Sequence, residues 1–460
     1  MSVTDDLRTS TNPYLAGNFA PLPEETTAHD LSVVQGELPE ELTGRYLRIG
    51  PNPVDPDPDT YHWFTGAGMV HGIRLDGGRA EWYRSRFVRA GQLLEQMGWD
   101  DPGGPEGPMQ FSPNTNVIGL AGRTFAIVEA GANPVELTDE LETVGRVDFR
   151  GTGATGIEGP FSAHPKRDPD TGDLHVAAYY WGWGEQVQYQ IIGADGVVKH
   201  TADIPVPGSP MMHDISITET HAVLYDLPVL FDFEMAAAGT GLPYRWNDDY
   251  GARVGVLPKG GTADQVTWYE VEPCYVFHPM NAHDLPDGRI VLDVVRHPSM
   301  FRTDLRGPNE GNPTLDRWTV DPTTGTVTEE RLTDHPLELP RVDERLVGKQ
   351  ARYGYATTFD GSSGELDFGP SLRWDGHHRT HQLHDYGPGR VSQEPVFVPR
   401  TDDAAEDDGW IISVVYDRTD DSSQLVLLHG QDFTGEPACT IQLPNRVPFG
   451  FHGNWVPDPA

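Results

Sequence analysis

Tight-turn chemistry punctuates this chain from end to end, and it restricts the possible folds more than any other feature. It recurs at Leu75-Asp76-Gly77-Gly78, Asp168-Pro169-Asp170-Thr171-Gly172-Asp173, Ala194-Asp195-Gly196, Pro286-Asp287-Gly288, Asp321-Pro322-Thr323-Thr324-Gly325 and Asp407-Asp408-Gly409. Asp and Gly accept the positive φ angles of tight hairpins, so each cluster predicts a reversal between two strands. The flanks agree: Arg289-Ile290-Val291-Leu292-Asp293-Val294-Val295 follows one turn and Trp410-Ile411-Ile412-Ser413-Val414-Val415-Tyr416 another. Helical periodicity is scarce, and Glu136 to Thr143 and Asp232 to Gly239 are the best short helix candidates. Gly 51 and Pro 40 together make about a fifth of the 460 residues, which argues against a helical bundle. The expectation is all-β: a pair of sandwiches, or a β-propeller of four to eight four-stranded blades. No WD or kelch repeat is legible, so periodicity does not give a blade number. The acidic run Ala404 to Asp408 is short enough to be a loop, and residues 1–460 are read as a single closed domain.

Charge removes several classes of function. Lys+Arg 33 against Asp+Glu 70 leaves a formal net charge of −37, which repels nucleic-acid backbones. Anionic lipid is disfavoured in the same way, although an apolar patch can still touch a bilayer. Cys274 and Cys439 are the only cysteines, which excludes a disulfide framework and a Cys-based zinc or iron–sulfur site. The N-terminus Met1-Ser2-Val3-Thr4-Asp5-Asp6-Leu7-Arg8 lacks the basic start and apolar stretch of a signal peptide, and no apolar run approaches the roughly 18 residues of a membrane helix. A soluble cytoplasmic protein is the expectation.

The 18 histidines carry the chemistry that remains. Four follow apolar residues, as inward-facing strand ends do: His164 in Phe161-Ser162-Ala163-His164-Pro165-Lys166, His213 in Pro210-Met211-Met212-His213-Asp214, His278 in Cys274-Tyr275-Val276-Phe277-His278-Pro279, and His452 in Phe449-Gly450-Phe451-His452-Gly453. Imidazole is the commonest transition-metal ligand. Their wide spacing matches no local motif such as His-Glu-x-x-His, and a lone buried histidine is more often a hydrogen-bonded core residue. Ligands gathered from separate blades and chance burial both fit this pattern. His377, His378, His381 and His384 are denser, but their Asp, Arg, Gly and Gln neighbours read as a solvated loop.

Other mechanisms find little support. There is no Gly-x-Ser-x-Gly elbow and no Gly-x-x-x-x-Gly-Lys-Ser/Thr loop. Gly151-Thr152-Gly153-Ala154-Thr155-Gly156 resembles a dinucleotide fingerprint in spacing, but without a βαβ context it reads as a glycine-rich turn. Carboxylate pairs of a glycosidase kind abound simply because acidic residues do.

The order of blocks along the chain resembles the carotenoid cleavage oxygenase family, which includes the retinal pigment epithelium isomerase. Asn12-Pro13-Tyr14-Leu15-Ala16-Gly17-Asn18-Phe19-Ala20-Pro21 is similar to that family's N-terminal segment, as is Gly36 to Pro53 with its Arg48-Ile49-Gly50-Pro51-Asn52-Pro53 ending. Trp63-Phe64-Thr65-Gly66-Ala67-Gly68-Met69-Val70-His71-Gly72 matches its Phe-x-Gly-x-Gly-Met-x-His block, and the Ala-His-Pro-Lys, His-Asp, Phe-His-Pro and Phe-His-Gly blocks follow in the family's order. The resemblance spans essentially the whole chain.

It implies a seven-bladed β-propeller capped by a dome of loops and short helices. It also implies Fe(II) held by His164, His213, His278 and His452, with Glu129, Glu338 and Glu394 orienting three of them and His164 the one without such a partner. Four neutral imidazoles leave Fe(II) its full charge, and a six-coordinate ion keeps two positions open. The implied reaction is dioxygenase cleavage of a conjugated C=C bond of a carotenoid or apocarotenoid by O2, giving two carbonyl products. Relatives that cleave hydroxylated stilbenes carry a Lys before the first of these glutamates; here Val128 stands there, which favours an apolar polyene. The same iron chemistry on a stilbene or phenylpropanoid, and a non-catalytic metal-binding propeller, are the alternatives, and isomerisation runs on the same site in this family. His71, inside a family block, is expected to make a structural hydrogen bond. Residues 227–239, from Leu227 to Gly239, resemble a family insertion at the tunnel mouth, for which a peripheral membrane contact and a buried cap helix are equal expectations.

Overall fold

The computed structural model describes residues 10–149, 160–239, 241–308, 310–360 and 366–458. Gly151 to Gly156 lies outside the described residues. Seven antiparallel sheets form around one axis, with a small two-stranded ribbon beside them. Blade one holds Thr26–His29, Gly44–Pro51, Gly68–Asp76, Arg79–Phe87 and the late strand Gly453–Pro457; blade two runs from Asn116–Leu120 to Thr143–Arg146. Blade three spans Lys166–Arg167 to Val198–Pro205, blade four Ile215–Ile217 to Thr267–Glu270, and blade five Pro279–Asp284 to Thr326–Thr333. Blade six runs from Leu337–Arg341 to Thr380–His384. Blade seven gathers Val33–Gly36 with Arg390–Ser392, Val396–Pro399, Gly409–Asp417, Ser422–His429 and Cys439–Gln442.

Two exchanges close the ring. Val33–Gly36, from the start of the chain, pairs with Cys439–Gln442, and Gly453–Pro457, from its end, pairs with Gly44–Pro51. A sheet closed on itself leaves few unpaired edges, so the terminal strands hold first and last blades together. The turn clusters all fall on hairpin connections: Gly77-Gly78, for example, links Gly68–Asp76 to Arg79–Phe87, with φ of 51° and 75°. Strands near the axis are buried on both faces, as in Gly44–Pro51, whereas the outer strand Thr326–Thr333 alternates toward solvent.

One helix expectation fails and one succeeds. Within Glu136 to Thr143, Val135–Leu137 and Thr143–Arg146 are the outer strands of blade two, joined by a turn in which Leu141 adopts φ 70°. Pairing with Arg123–Ile127 overrides a weak helical propensity, because each residue gains a ladder partner. Asp232 to Gly239 does contain a helix, Phe233–Ala238, capped by Asp232 Oδ1 accepting from the amides of Glu234 (2.9 Å) and Met235 (3.0 Å), and ended by Gly239 at φ 69°.

Candidate metal centre

Each blade delivers one side chain to the axis. His164 immediately precedes the Pro165 ahead of strand Lys166–Arg167, and His213 and His278 stand in the same way before Ile215–Ile217 and Pro279–Asp284. His452 precedes Gly453–Pro457, Glu129 follows Arg123–Ile127, Glu338 lies in Leu337–Arg341, and Glu394 sits between the two short strands of blade seven. All seven are buried. The imidazoles converge: His213 Nε2 and His278 Nε2 are 3.3 Å apart, and the His164 ring centroid lies 4.2, 5.1 and 4.6 Å from those of His213, His278 and His452. One ligand atom each from His164, His278 and His452 falls within a 4.8 Å set.

The outer nitrogens of three rings face carboxylates. His278 Nδ1–H donates to Glu338 Oε2 (2.7 Å), His452 Nδ1–H donates to Glu394 Oε1 (2.8 Å), and His213 Nδ1 lies 2.6 Å from Glu129 Oε1. His164 has no such contact; its nearest carboxylate oxygens are Glu129 Oε1 at 3.8 Å and Asp214 Oδ2 at 3.9 Å, and Asp214 is held by Lys166 Nζ at 2.7 Å. A proton on each carboxylate-facing Nδ1 leaves the Nε2 atoms as lone pairs pointing at one another, and His164 Nε2 has no hydrogen-bond partner. Converging lone pairs with no donor among them need a cation. Two nitrogens about 2.1 Å from one ion and at right angles lie about 3 Å apart, which the 3.3 Å separation approaches. The donor set therefore fits a metal ion.

Electrostatics point the same way. Burial holds the imidazolium of His164 well below its ordinary range and lowers His452 to about 4. At His278 burial acts in that direction too, but the adjoining Glu338 carboxylate, with Asp214 behind it, outweighs burial and raises the group. Burial alone would raise Glu394; His452 and Arg341 bring it down to about 2, so the carboxylate stays ionised. Backbone strain sits beside two of the carboxylates: Ala130 and Leu339 have φ of 58° and 54°, conformations that L-residues adopt at a cost where the surroundings demand them.

The cluster divides two chambers. On one side a cavity of about 800 Å³ reaches His213, His278 and His452 between Trp63, Phe64, Trp181, Phe277, Phe359 and Phe451. On the other, a polar chamber of about 580 Å³ reaches His164, His278 and His452 past Lys166, Asp214 and Arg341. Val128 lines the apolar cavity next to Glu129. Ala236 and Gly239 line it as well, while Phe233 on the same helix is 61% exposed and Phe231 stacks on Trp181 at 4.9 Å. The segment 227–239 is thus a rim element, half strand and half helix, whose helix buries none of its residues. No helix of the described residues is long and apolar enough to cross a membrane.

The other candidates lie apart. His71 Nδ1 and Tyr83 hydroxyl share a 2.8 Å hydrogen bond between neighbouring strands of blade one. His377 and His378 occupy the exposed hairpin turn of blade six; His384 is buried and bonded to the Phe433 carbonyl at 3.0 Å. Three side chains belong to the site without having stood out in sequence. Tyr179 hydroxyl donates to Glu129 Oε2, Arg341 Nη1 is 3.4 Å from Glu394 Oε2, and His297 Nε2–H donates to Glu338 Oε1 at 2.7 Å. A faint signal existed for His297 alone, which shares the strand-end His-Pro pair of His164 and His278.

Comparison with known proteins adds the following. The retinal pigment epithelial membrane protein family matches residues 19–457. A carotenoid cleavage oxygenase of Mycobacterium tuberculosis is 44% identical, over 97% of this chain and 98% of that protein. Among solved structures, a lignostilbene dioxygenase of Pseudomonas brassicacearum superposes with a TM-score of 0.87 at 27% identity, covering 97% of this chain and 99% of that one. A cobalt-substituted apocarotenoid oxygenase of Synechocystis superposes at 0.84 with 26% identity, covering 95% and 97%.

Proposed function

We propose, for a chain that belongs to the retinal pigment epithelial membrane protein family of carotenoid cleavage oxygenases, that it is an Fe(II)-dependent dioxygenase cleaving a conjugated C=C bond of a carotenoid or apocarotenoid into two carbonyl products. The observation that carries this reading is the four-imidazole cluster opening on an aromatic cavity of about 800 Å³. His164, His213, His278 and His452 would hold the iron, and residues 1–460 are read as one domain built to bring them together. Bound there, Fe(II) supplies the activation of O2 for which protein side chains have no chemistry.

The remaining work falls to the chain. Glu129, Glu338 and Glu394 hold the outer nitrogen of three ligands and thereby aim their lone pairs inward. Three carboxylates also offset the charge of a divalent ion together with that of Arg341, so the buried centre approaches neutrality. The aromatic walls align an extended polyene by contact area and exclude water from the reacting bond. Val128 puts no cation in that wall, which supports a substrate without a phenolate. The likeness to a lignostilbene dioxygenase keeps a phenolic alkene as the second reading. Phe233, at 61% exposure on the cavity rim, supports delivery of substrate from a bilayer surface through residues 227–239.

The test is purified protein reconstituted with Fe(II) and given an apocarotenal. The expected result is one O2 consumed per polyene lost and two carbonyl products, each carrying label from 18O2. Cleavage by iron-free protein, or an intact polyene in iron-loaded protein, would refute it.

A further inference from the structure

The three carboxylates of the centre each have a second side-chain partner, and the three partners differ. Glu129 receives a phenol O–H from Tyr179, Glu394 faces the guanidinium of Arg341, and Glu338 is shared between two imidazoles. The last case places a second imidazole on the carboxylate. Glu338 Oε2 accepts from His278 Nδ1–H at 2.7 Å and from the Leu339 amide at 2.5 Å, whereas Oε1 accepts from His297 Nε2–H at 2.7 Å, so one carboxylate spans two rings. His297 is 1% exposed and cannot turn aside. Its backbone pairs both ways with Tyr275, at 2.9 and 2.8 Å, and its ring stands edge-on to Phe277 (5.4 Å, 88°) and Phe359 (6.1 Å, 89°).

A carboxylate alone has freedom about its last torsion, because terminal sp³–sp² rotations are broad. His278 and the Leu339 amide both hold Oε2, and the bond from His297 on the opposite oxygen is the one that restrains Oε1 and with it rotation of the carboxylate. We propose that His297 is a positioning residue of the metal centre: by anchoring Glu338 Oε1 it sets the plane of the carboxylate, and through it the tautomer and ring orientation of His278. The inference rests on the metal reading given above. His297 also lines the apolar cavity, so the anchor is part of the wall against which substrate would lie.

The test is binding of Co(II), titrated into purified full-length protein in competition with a chelator and followed in the visible spectrum, for wild type, H297F, H297Q and H297N. Loss of an outer partner of a ligating histidine typically costs ten- to a hundredfold in metal affinity. H297F keeps the ring volume without the donor, and should weaken Co(II) by on the order of tenfold and shift its absorption bands. H297N is too short to reach Glu338 and should do the same, which covers failure of H297F to fold. H297Q, which can donate an amide N–H to Glu338, should recover most of the affinity. In an E338Q background H297F should add little further loss. Wild-type affinity and spectrum in both H297F and H297N, or an equal loss with and without Glu338, would overturn the inference while leaving the metal reading intact. Wild-type protein that takes up neither Co(II) nor Fe(II) would overturn both.

Discussion

Glu394→Gln is the most informative single perturbation. Glu394 is 1% exposed and serves several donors: Oε1 accepts from His452 Nδ1–H at 2.8 Å, and Oε2 accepts from Gly453 N–H at 2.7 Å with Arg341 Nη1 at 3.4 Å. A glutamine of the same shape has one carbonyl oxygen and one NH2, so it satisfies only one side. If the oxygen faces Gly453, the NH2 faces His452 and favours the tautomer whose proton sits on Nε2, the atom that faces the cluster. If the oxygen faces His452, a buried donor–donor contact with Gly453 results. Such an unsatisfied buried donor costs about 1–3 kcal/mol. Arg341 also loses a charged neighbour, although Glu344 Oε1 at 2.7 Å keeps it paired, so the added cost stays below the 3–5 kcal/mol typical of a fully broken buried pair. The expected total is about 2–4 kcal/mol, read as a fall in urea stability of the metal-free protein. Co(II) affinity should fall ten- to a hundredfold in parallel. Glu394→Asp, which keeps the charge on a shorter arm, should lose less of either. A Gln variant with unchanged urea midpoint and unchanged Co(II) binding would refute the claim that this carboxylate fixes His452.

Other outcomes follow from the same geometry. Val128→Lys places an ammonium in the apolar wall beside Glu129, and should raise the ratio of phenolic-alkene to apocarotenal turnover measured on paired substrates; a ratio that stays put or falls would contradict the reading of Val128. His377→Ala with His378→Ala should leave the metal-to-protein ratio by elemental analysis as in wild type. Burial lowers His62 and His71 to about 3 and His175 to about 4, so the fold keeps them neutral while the unfolded chain protonates them near 6.5. Unfolding therefore takes up protons below about pH 6.5 and these groups withdraw stability as pH falls toward 4; His71→Gln should flatten the slope of the urea midpoint between pH 6.5 and 5, and an unaltered slope would disprove the assignment.

Much of the fold was legible locally. A turn needs only a few residues of the right φ preference, so Leu75 to Gly78 and Pro286 to Gly288 announced their hairpins without help from distant chain. Blade membership was not legible, because Gly453–Pro457 joins blade one across nearly the whole sequence and Val33–Gly36 joins blade seven. Glu136 to Thr143 misled for the same reason: its short apolar pattern suits either period, and the neighbouring strand decided the matter.

The site divides along a similar line. His164, His213, His278 and His452 could each be marked by their apolar neighbours, and the order of motifs around them identified the family. Their meeting at 3.3 to about 5 Å is a property of ring closure, since the axial residues stand 35 to 65 positions apart in sequence, one to a blade. Tyr179 and Arg341 needed the tertiary structure altogether, and His297 offered only its His-Pro pair, because a hydrogen bond to a buried carboxylate leaves no pattern along the chain. The sequence by itself determined strands, turns, a histidine-based chemistry and a strongly negative net charge. Only the tertiary structure decided which carboxylate faces which ring, where the apolar cavity ends and the polar chamber begins, and that one carboxylate is shared by two imidazoles. Local preference acts between neighbours in sequence, whereas convergence on an axis depends on the closure of all seven blades at once.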